Sequence, residues 1–331
     1  MDLLVLGGTS WLGGATARAA TARGHRVTCL ARGESGTPPD QVTWIRADRT
    51  LETAYDEVAD LRWDAVVEVS WQPDFVRSAL DRLADSTAHW VYVSSCSVYA
   101  DDSTRDTDES APVHEPYAGS GPVDWEVYGQ AKVACELACR EVLGAERVLI
   151  ARAGLIGGYG DRSDRLGYWP ARVARAAAEE PVLVPTCSTG VQVIDVEDLA
   201  AWLVQGAERR VPGTFNATGS RTTLGTVLDA CVSASGVAPR FVEAPDDWLA
   251  EQGVEPWMGE DSVPLWLPQP EHAGFMTRDN AAARRAGLTL RPVQETVAAT
   301  LRWERACGLD RPRRAGLSRD RERELLARLR A

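Results

Sequence analysis

Short apolar runs separated by helix-length stretches of mixed polarity set the rhythm of the first half of the chain. Leu3-Leu4-Val5-Leu6, Arg26–Leu30, Val42–Ile45, Ala65–Val69, Trp90–Ser94 and Arg147–Ala151 read as strands. A helix is expected from about Leu12 to Arg23, closed by Gly24, and a longer one over Tyr128–Leu143. This alternation is the pattern of a parallel sheet joined by crossover helices. Two segments break it. Asp101–Asp124 is polar, acidic and rich in Pro, Gly and Ser, and reads as a loop near a site. Pro245–Pro270 sets Trp248, Trp257 and Trp266 among prolines and suggests an irregular, aromatic-rich lid. From Arg311 onward Arg alternates with Glu and Leu, the pattern of a solvated amphipathic helix, with a partner-binding helix as the other reading. The chain shows no internal repeat.

Composition narrows the function classes. A net charge of -12 on 331 residues repels a phosphate backbone, so no nucleic-acid partner is expected. No run approaches the ~18 apolar residues that a membrane span needs, so no membrane partner is expected either. The chain runs from Met1-Asp2 straight into a strand-like segment, without the basic stretch or cleavage site of a signal peptide. A cytoplasmic location is therefore expected. The seven cysteines are scattered and show no metal-ligand spacing, so they read as free thiols and no metal is expected. Lysine and arginine together number 36, and a single one, Lys132, is lysine. Where Arg has replaced Lys this thoroughly, the survivor marks a position at which Arg would fail.

Gly7-Gly8-Thr9-Ser10-Trp11-Leu12-Gly13 follows the first strand and begins a helix. In that context a Gly-rich turn suits a pyrophosphate: the backbone approaches closely, and the helix N-terminus supplies N–H groups and a favourable dipole. The spacing fits G-x-x-G-x-x-G, with Ser10 in place of the middle glycine. An acidic residue after the second strand would favour NAD. Here Ala31-Arg32-Gly33 stands there, and the Arg32 fork suits a 2′-phosphate, so NADP(H) is favoured. Glu34 lies just beyond and leaves NAD(H) open. Asp48, ending the third strand, is placed to reach an adenine amino group.

The catalytic signal is Tyr128-Gly129-Gln130-Ala131-Lys132, with Tyr128 and Lys132 one helical turn apart on one face. A tyrosine acting as general acid/base near neutrality needs a nearby cation, since its unperturbed pKa is about 10. A compact ammonium provides that charge and can also hydrogen-bond a ribose. The third member is Ser95 in Ser94-Ser95-Cys96-Ser97-Val98-Tyr99, where its hydroxyl can hold a substrate oxygen.

Together these residues resemble the extended short-chain dehydrogenase/reductase family, which includes the NAD(P)-dependent epimerases and dehydratases. The resemblance extends to Val191–Ala200 and Phe215–Gly219, similar to the family's returning strand–helix and following strand. It implies an α/β, Rossmann-type doubly wound parallel sheet with a smaller C-terminal substrate-binding region. Residues 1–155 would form the NADP-binding domain, rejoined by 190–218. Segments 156–189 and 219–308 would cover the substrate, and 309–331 would form a charged tail. It also implies a catalytic Ser95, Tyr128 and Lys132, and a cofactor site of Gly7, Thr9, Ser10, Trp11, Leu12, Gly13, Arg32, Asp48, Tyr128, Lys132 and Leu155. Ala153 stands where the family's nicotinamide-contacting turn carries proline. A homodimer through a helix pair is a further expectation from the family.

Departures from the family bear on the reaction. Sugar-nucleotide dehydratases place Asp-Glu directly after the catalytic Ser or Thr, and this chain has Cys96-Ser97. Gln192 stands where enzymes of nucleotide-sugar diphosphates often carry Arg, although Arg162 and Arg165 remain available. The expected activity is therefore NADP(H)-dependent reduction of a small-molecule ketone to an alcohol, or the reverse. Tyr128 would move the proton, Ser95 orient the oxygen and Lys132 lower the Tyr128 pKa. A sugar-nucleotide epimerase holding NAD is the alternative, and a non-catalytic dinucleotide sensor or scaffold is one of another class. Substrate contacts are expected from Trp71, Ser97, Arg162, Arg165, Tyr168, Trp169, Gln192 and Trp257, with Trp125 and Trp266 as further aromatic candidates and His114 a lesser one.

Overall fold

In the computed structural model, which describes residues 1–329, the apolar runs become strands close to where the pattern puts them. These are β1 (Asp2–Leu6), β2 (Arg26–Leu30), β3 (Thr43–Ile45), β4 (Ala65–Glu68), β5 (Trp90–Ser95) and β6 (Val148–Ala153). β7 (Leu155–Gly157), β8 (Pro181–Val184), β9 (Gly190–Asp195) and β10 (Gly213–Ala217) follow. The main sheet is seven-stranded, ordered β10-β6-β5-β4-β1-β2-β3, and every pair in it is parallel. Its doubly wound topology is that of a Rossmann-type fold.

Parallel strands buried on both faces need both side-chain rows apolar. Leu3 and Val5 face one side, where α1 (Trp11–Ala22) and α5 (Val196–Arg209) bring Ala17, Ala20, Leu199 and Leu203. Leu4 and Leu6 face the other, covered by Val76 and Leu80 of α2 (Pro73–Leu83) and by Cys135 and Cys139 of α3 (Tyr128–Leu143). α2 was not singled out from the sequence; it starts with Pro73 in the first turn, where a missing N–H costs nothing. α3 occupies the predicted residues and ends at Gly144, whose φ of 72° admits glycine readily.

A second core lies at the C-terminal ends of the strands. α4 (Arg165–Ala174) and the helices Leu224–Ser235 and Val293–Cys307 contribute to it. β9 does not rejoin the main sheet; it pairs with β7 and, antiparallel, with Arg221–Thr223, so the returning segment re-enters through α5 and β10. The Pro245–Pro270 stretch is more ordered than expected, with a helix over Asp246–Glu251 and short strands Glu255–Trp257 and Ser262–Pro264. The 101–124 loop is irregular. Arg278 anchors it by donating to Thr107 Oγ1 and the Asp101 carbonyl while lying over the Tyr99 ring.

The tail is not a solvated helix. Arg319–Leu329 buries Leu325 and Leu326 in the second core, and buried Glu322 accepts from Arg172 Nε at 2.7 Å. Arg330 and Ala331, the end of the tail segment, lie outside the described residues. Among the described residues no helix is long and apolar enough to cross a membrane, and no His/Cys/Asp/Glu group is arranged to hold a metal ion. The seven cysteines are free thiols.

Candidate active site

The turn between β1 and α1 is tight because its glycines leave no room for side chains. A Cβ on Gly13 would lie 2.3 Å from the Gly7 carbonyl oxygen, and Gly7 itself has φ +91°. Ser10, in place of the middle glycine, has ordinary extended backbone and caps α1, accepting from Gly13 N–H at 3.2 Å. The open first turn of α1 thus carries Trp11 and Leu12 amides toward the cleft, the arrangement that suits a pyrophosphate. Trp11 donates its indole N–H to the Tyr159 carbonyl at 2.9 Å, so the 158–163 segment lies against the mouth of this turn.

Two cavities meet here. The smaller, about 240 Å³, is lined by Gly7, Thr9, Ser10, the 31–35 loop, Ala47, Arg49 and Ser70. Arg32 reaches it, but its guanidinium is paired with Glu34 at 2.9 Å. Asp48 does not line it: its carboxylate accepts from the Thr50 amide at 3.0 Å, turning back into its own loop. Its neighbours Ala47 and Arg49 take the wall instead. The Arg49 guanidinium is paired with buried Glu68 at the end of β4, a pair no sequence motif signals.

The larger cavity, about 540 Å³, brings together Ser95, Tyr128 and Lys132. Ser95 closes β5, and its hydroxyl accepts from Ser97 N–H and donates to Ser97 Oγ, each at 3.1 Å. Tyr128 opens α3. Burial raises its pKa, while the neighbouring Ser95 hydroxyl and the charge of Arg165 work to lower it. Lys132, one turn on, donates to the Val93 carbonyl at 2.6 Å and the Ser70 carbonyl at 3.1 Å. Its ammonium lies 6.0 Å from the Tyr128 ring centroid, and burial pushes its pKa down to about 8.

Trp11, Leu12, Leu155, Ser97, Arg162, Arg165, Gln192, Trp125 and Trp257 also face this cavity. Three expected contacts do not. Trp71 packs edge-on against Tyr128 at 5.4 Å without joining the lining, while Trp125 stacks on the same ring at 4.5 Å. Tyr168 is buried under Gly316 of the tail segment, which lies on its ring. Trp169 is buried with its indole N–H donating to the Pro264 carbonyl at 2.8 Å. Trp266 is likewise core, bonded to Asp246. His114 is not part of the lining. The wall includes residues that sequence reasoning missed: Asp161, Thr218, Phe275, Met276 and Arg314. Thr218 lies in the Phe215–Gly219 stretch already noted, while the others come from separate segments and belong to no recognisable spacing.

Comparison with known proteins follows the same outline. The sequence profile described as the NAD dependent epimerase/dehydratase family matches residues 3–217. An epimerase family protein of Bos taurus, SDR39U1, is 27% identical over 271 residues, covering 74% of this chain and 84% of that protein. A putative epimerase from Burkholderia cenocepacia J2315 superposes with a TM-score of 0.70 at 22% identity, over 92% of this chain and 98% of the other. UDP-N-acetylglucosamine 4-epimerase from Bacillus cereus gives 0.64 at 17% identity, over 92% and 99%. At these identities the structural likenesses speak for the fold.

Proposed function

The chain belongs to the NAD dependent epimerase/dehydratase family, and from that premise we propose that it interconverts a secondary alcohol and a ketone on a small molecule in the larger cavity. The observation that carries this reading is the meeting of Ser95, Tyr128 and Lys132 on one wall, beside the open turn of α1. The tight Gly7–Gly13 turn and the two adjoining cavities fit an extended dinucleotide. When bound, that cofactor supplies or accepts a hydride. Ser95 orients the substrate oxygen by hydrogen bond. Tyr128 gives the oxygen its proton in reduction and removes it in oxidation. Lys132, held by two backbone carbonyls, keeps an ammonium near the phenol and retains a donor for a ribose hydroxyl. Arg32 supports NADP(H) as the partner nucleotide.

A second reading, an epimerase that retains NAD, draws support from Glu34. Its carboxylate already occupies the Arg32 guanidinium and could accept from ribose hydroxyls instead. Elimination finds less support: Cys96 is buried, donates to the Arg152 carbonyl, and has its thiol pushed up to about 12 by burial. The test is to denature the purified protein, identify any released nucleotide, and incubate the intact protein with NADPH or NADH and a panel of ketones. NADPH-dependent reduction lost in Tyr128→Phe supports the ketone reading. Retained NAD, with solvent-independent epimerisation of an added sugar nucleotide, supports the second. Tight dinucleotide binding with no turnover on either panel would make the protein a sensor and sink both.

A further inference from the structure

Five guanidinium groups with little solvent exposure come with a carboxylate. Arg49 pairs with Glu68, Arg152 with Glu136, Arg172 with Glu322, Arg278 with Asp102, and Arg313 with Glu304. Arg165 breaks the pattern. It opens α4 on the wall of the larger cavity, with its guanidinium 5.2 Å from the Trp257 ring centroid. Its Nε is buried without a hydrogen-bond partner, as is one nitrogen each of Arg172, Arg278 and Arg313, but unlike theirs its guanidinium forms no ion pair among the described residues. A partly buried guanidinium with no counter-charge gains from a ligand that completes it. Burial also lowers its pKa, as expected of a cation that lacks its counter-charge.

The same cavity holds two buried acceptors in the opposite condition. Gln192 gives its Nε2 hydrogens to the Arg278 carbonyl at 2.9 Å and to Gly219 and Thr218, which fixes the amide, while its Oε1 has no partner. Asp161 accepts from Ser163 N–H through one oxygen and leaves Oδ2 unpartnered. The wall therefore lacks one anion and at least two hydroxyl-type donors. A planar carboxylate suits the Arg165 fork, whose face is already covered by Trp257.

We propose that the ligand of this cavity is a hydroxylated carboxylate, its acid group taken by Arg165 and its hydroxyls by Gln192 Oε1 and Asp161 Oδ2. The proposal deepens the alcohol–ketone reading by naming the substrate class, and it rests on that reading only for which carbon reacts. Trp125, Trp257 and Phe275 supply apolar faces for the carbon skeleton.

Binding rather than turnover tests it. Saturation-transfer NMR on the purified full chain would compare D-galacturonate, its methyl ester and D-galactose as probes, with and without added NADP. The acid should bind at least roughly tenfold more tightly than the ester or the neutral sugar. Arg165→Met should erase that preference, and Arg165→Lys should restore part of it; circular dichroism establishes that each variant is folded. Equal binding of acid and ester, or an acid preference that survives Arg165→Met, would overturn the assignment and mean that Asp161 balances Arg165 within the protein. No detectable binding of the acid also overturns it. Tyr128→Phe should keep the acid preference. If it does while wild type turns over no ketone or alcohol with either nucleotide, the ligand assignment stands and the oxidoreduction reading falls.

Discussion

Lys132 holds its ammonium between the Ser70 and Val93 carbonyls, 4.9 Å from the Tyr92 ring centroid, with no carboxylate in contact. Desolvation therefore dominates and brings its pKa to about 8. The sign follows from the charge: below that pH the group is a cation that favours the Tyr128 phenolate, and above it the help disappears. In the reductive direction kcat/KM should accordingly fall as pH rises through about 8; a profile flat to pH 10 would separate Lys132 from the chemistry. Lys132→Arg keeps a charge but cannot fit a planar fork between two carbonyls, and should lose roughly 100-fold or more in kcat. Tyr128→Phe should lose at least as much while nucleotide affinity, read by fluorescence titration, changes little. The sequence already singled out these positions, because i,i+4 spacing and the survival of one lysine are local facts. Arg165 was equally visible as a residue. Its meaning was not, since being unpaired is a property of everything around it.

Among elements, the β1–α1 turn and α4 show how much the surroundings add. The turn could be read from its glycines, and the structure adds the reason: Gly13 packs directly on the Gly7 carbonyl. Gly13→Ala should cost about 1–3 kcal/mol of stability through backbone displacement, seen as a lower Tm, and should weaken NADPH binding in the same titration. Arg165, Tyr168 and Trp169, all expected as substrate contacts, lie in α4. Only its start serves the cavity, because Gly316 and Pro264 cover Tyr168 and Trp169 from the side the sequence left as tail and lid. Further along α4, buried Arg172 depends on Glu322 of the terminal helix. Glu322→Ala leaves a buried cation short of its main partner and should cost about 3 kcal/mol in urea unfolding. The remaining contact of Arg172 with Glu180 sets the lower bound of that loss.

At the scale of the molecule, two cores share one chain, and the terminal helix closes the second of them. Removing residues 319–331 should expose the apolar patch beneath Leu325 and Leu326, giving increased binding of an apolar dye and aggregation on warming. A truncated protein as stable as the full chain would return the tail to the solvated role its charge pattern suggested. Arg-Glu alternation looks solvated because the pattern reports composition, whereas burial depends on what packs against the helix. What the sequence determined by itself was the strands of the main sheet, the helices α1 and α3, the Gly-rich turn and the Tyr128–Lys132 pair. Each of these is written in a period or spacing that one stretch of backbone can satisfy alone. Tertiary structure decided which aromatics line the cavity, that Asp48 turns away and that the tail belongs to a core. It also left Arg165, Gln192 and Asp161 with unmet hydrogen-bonding capacity in one cavity, and that juxtaposition exists only where segments far apart in the chain have folded against one another.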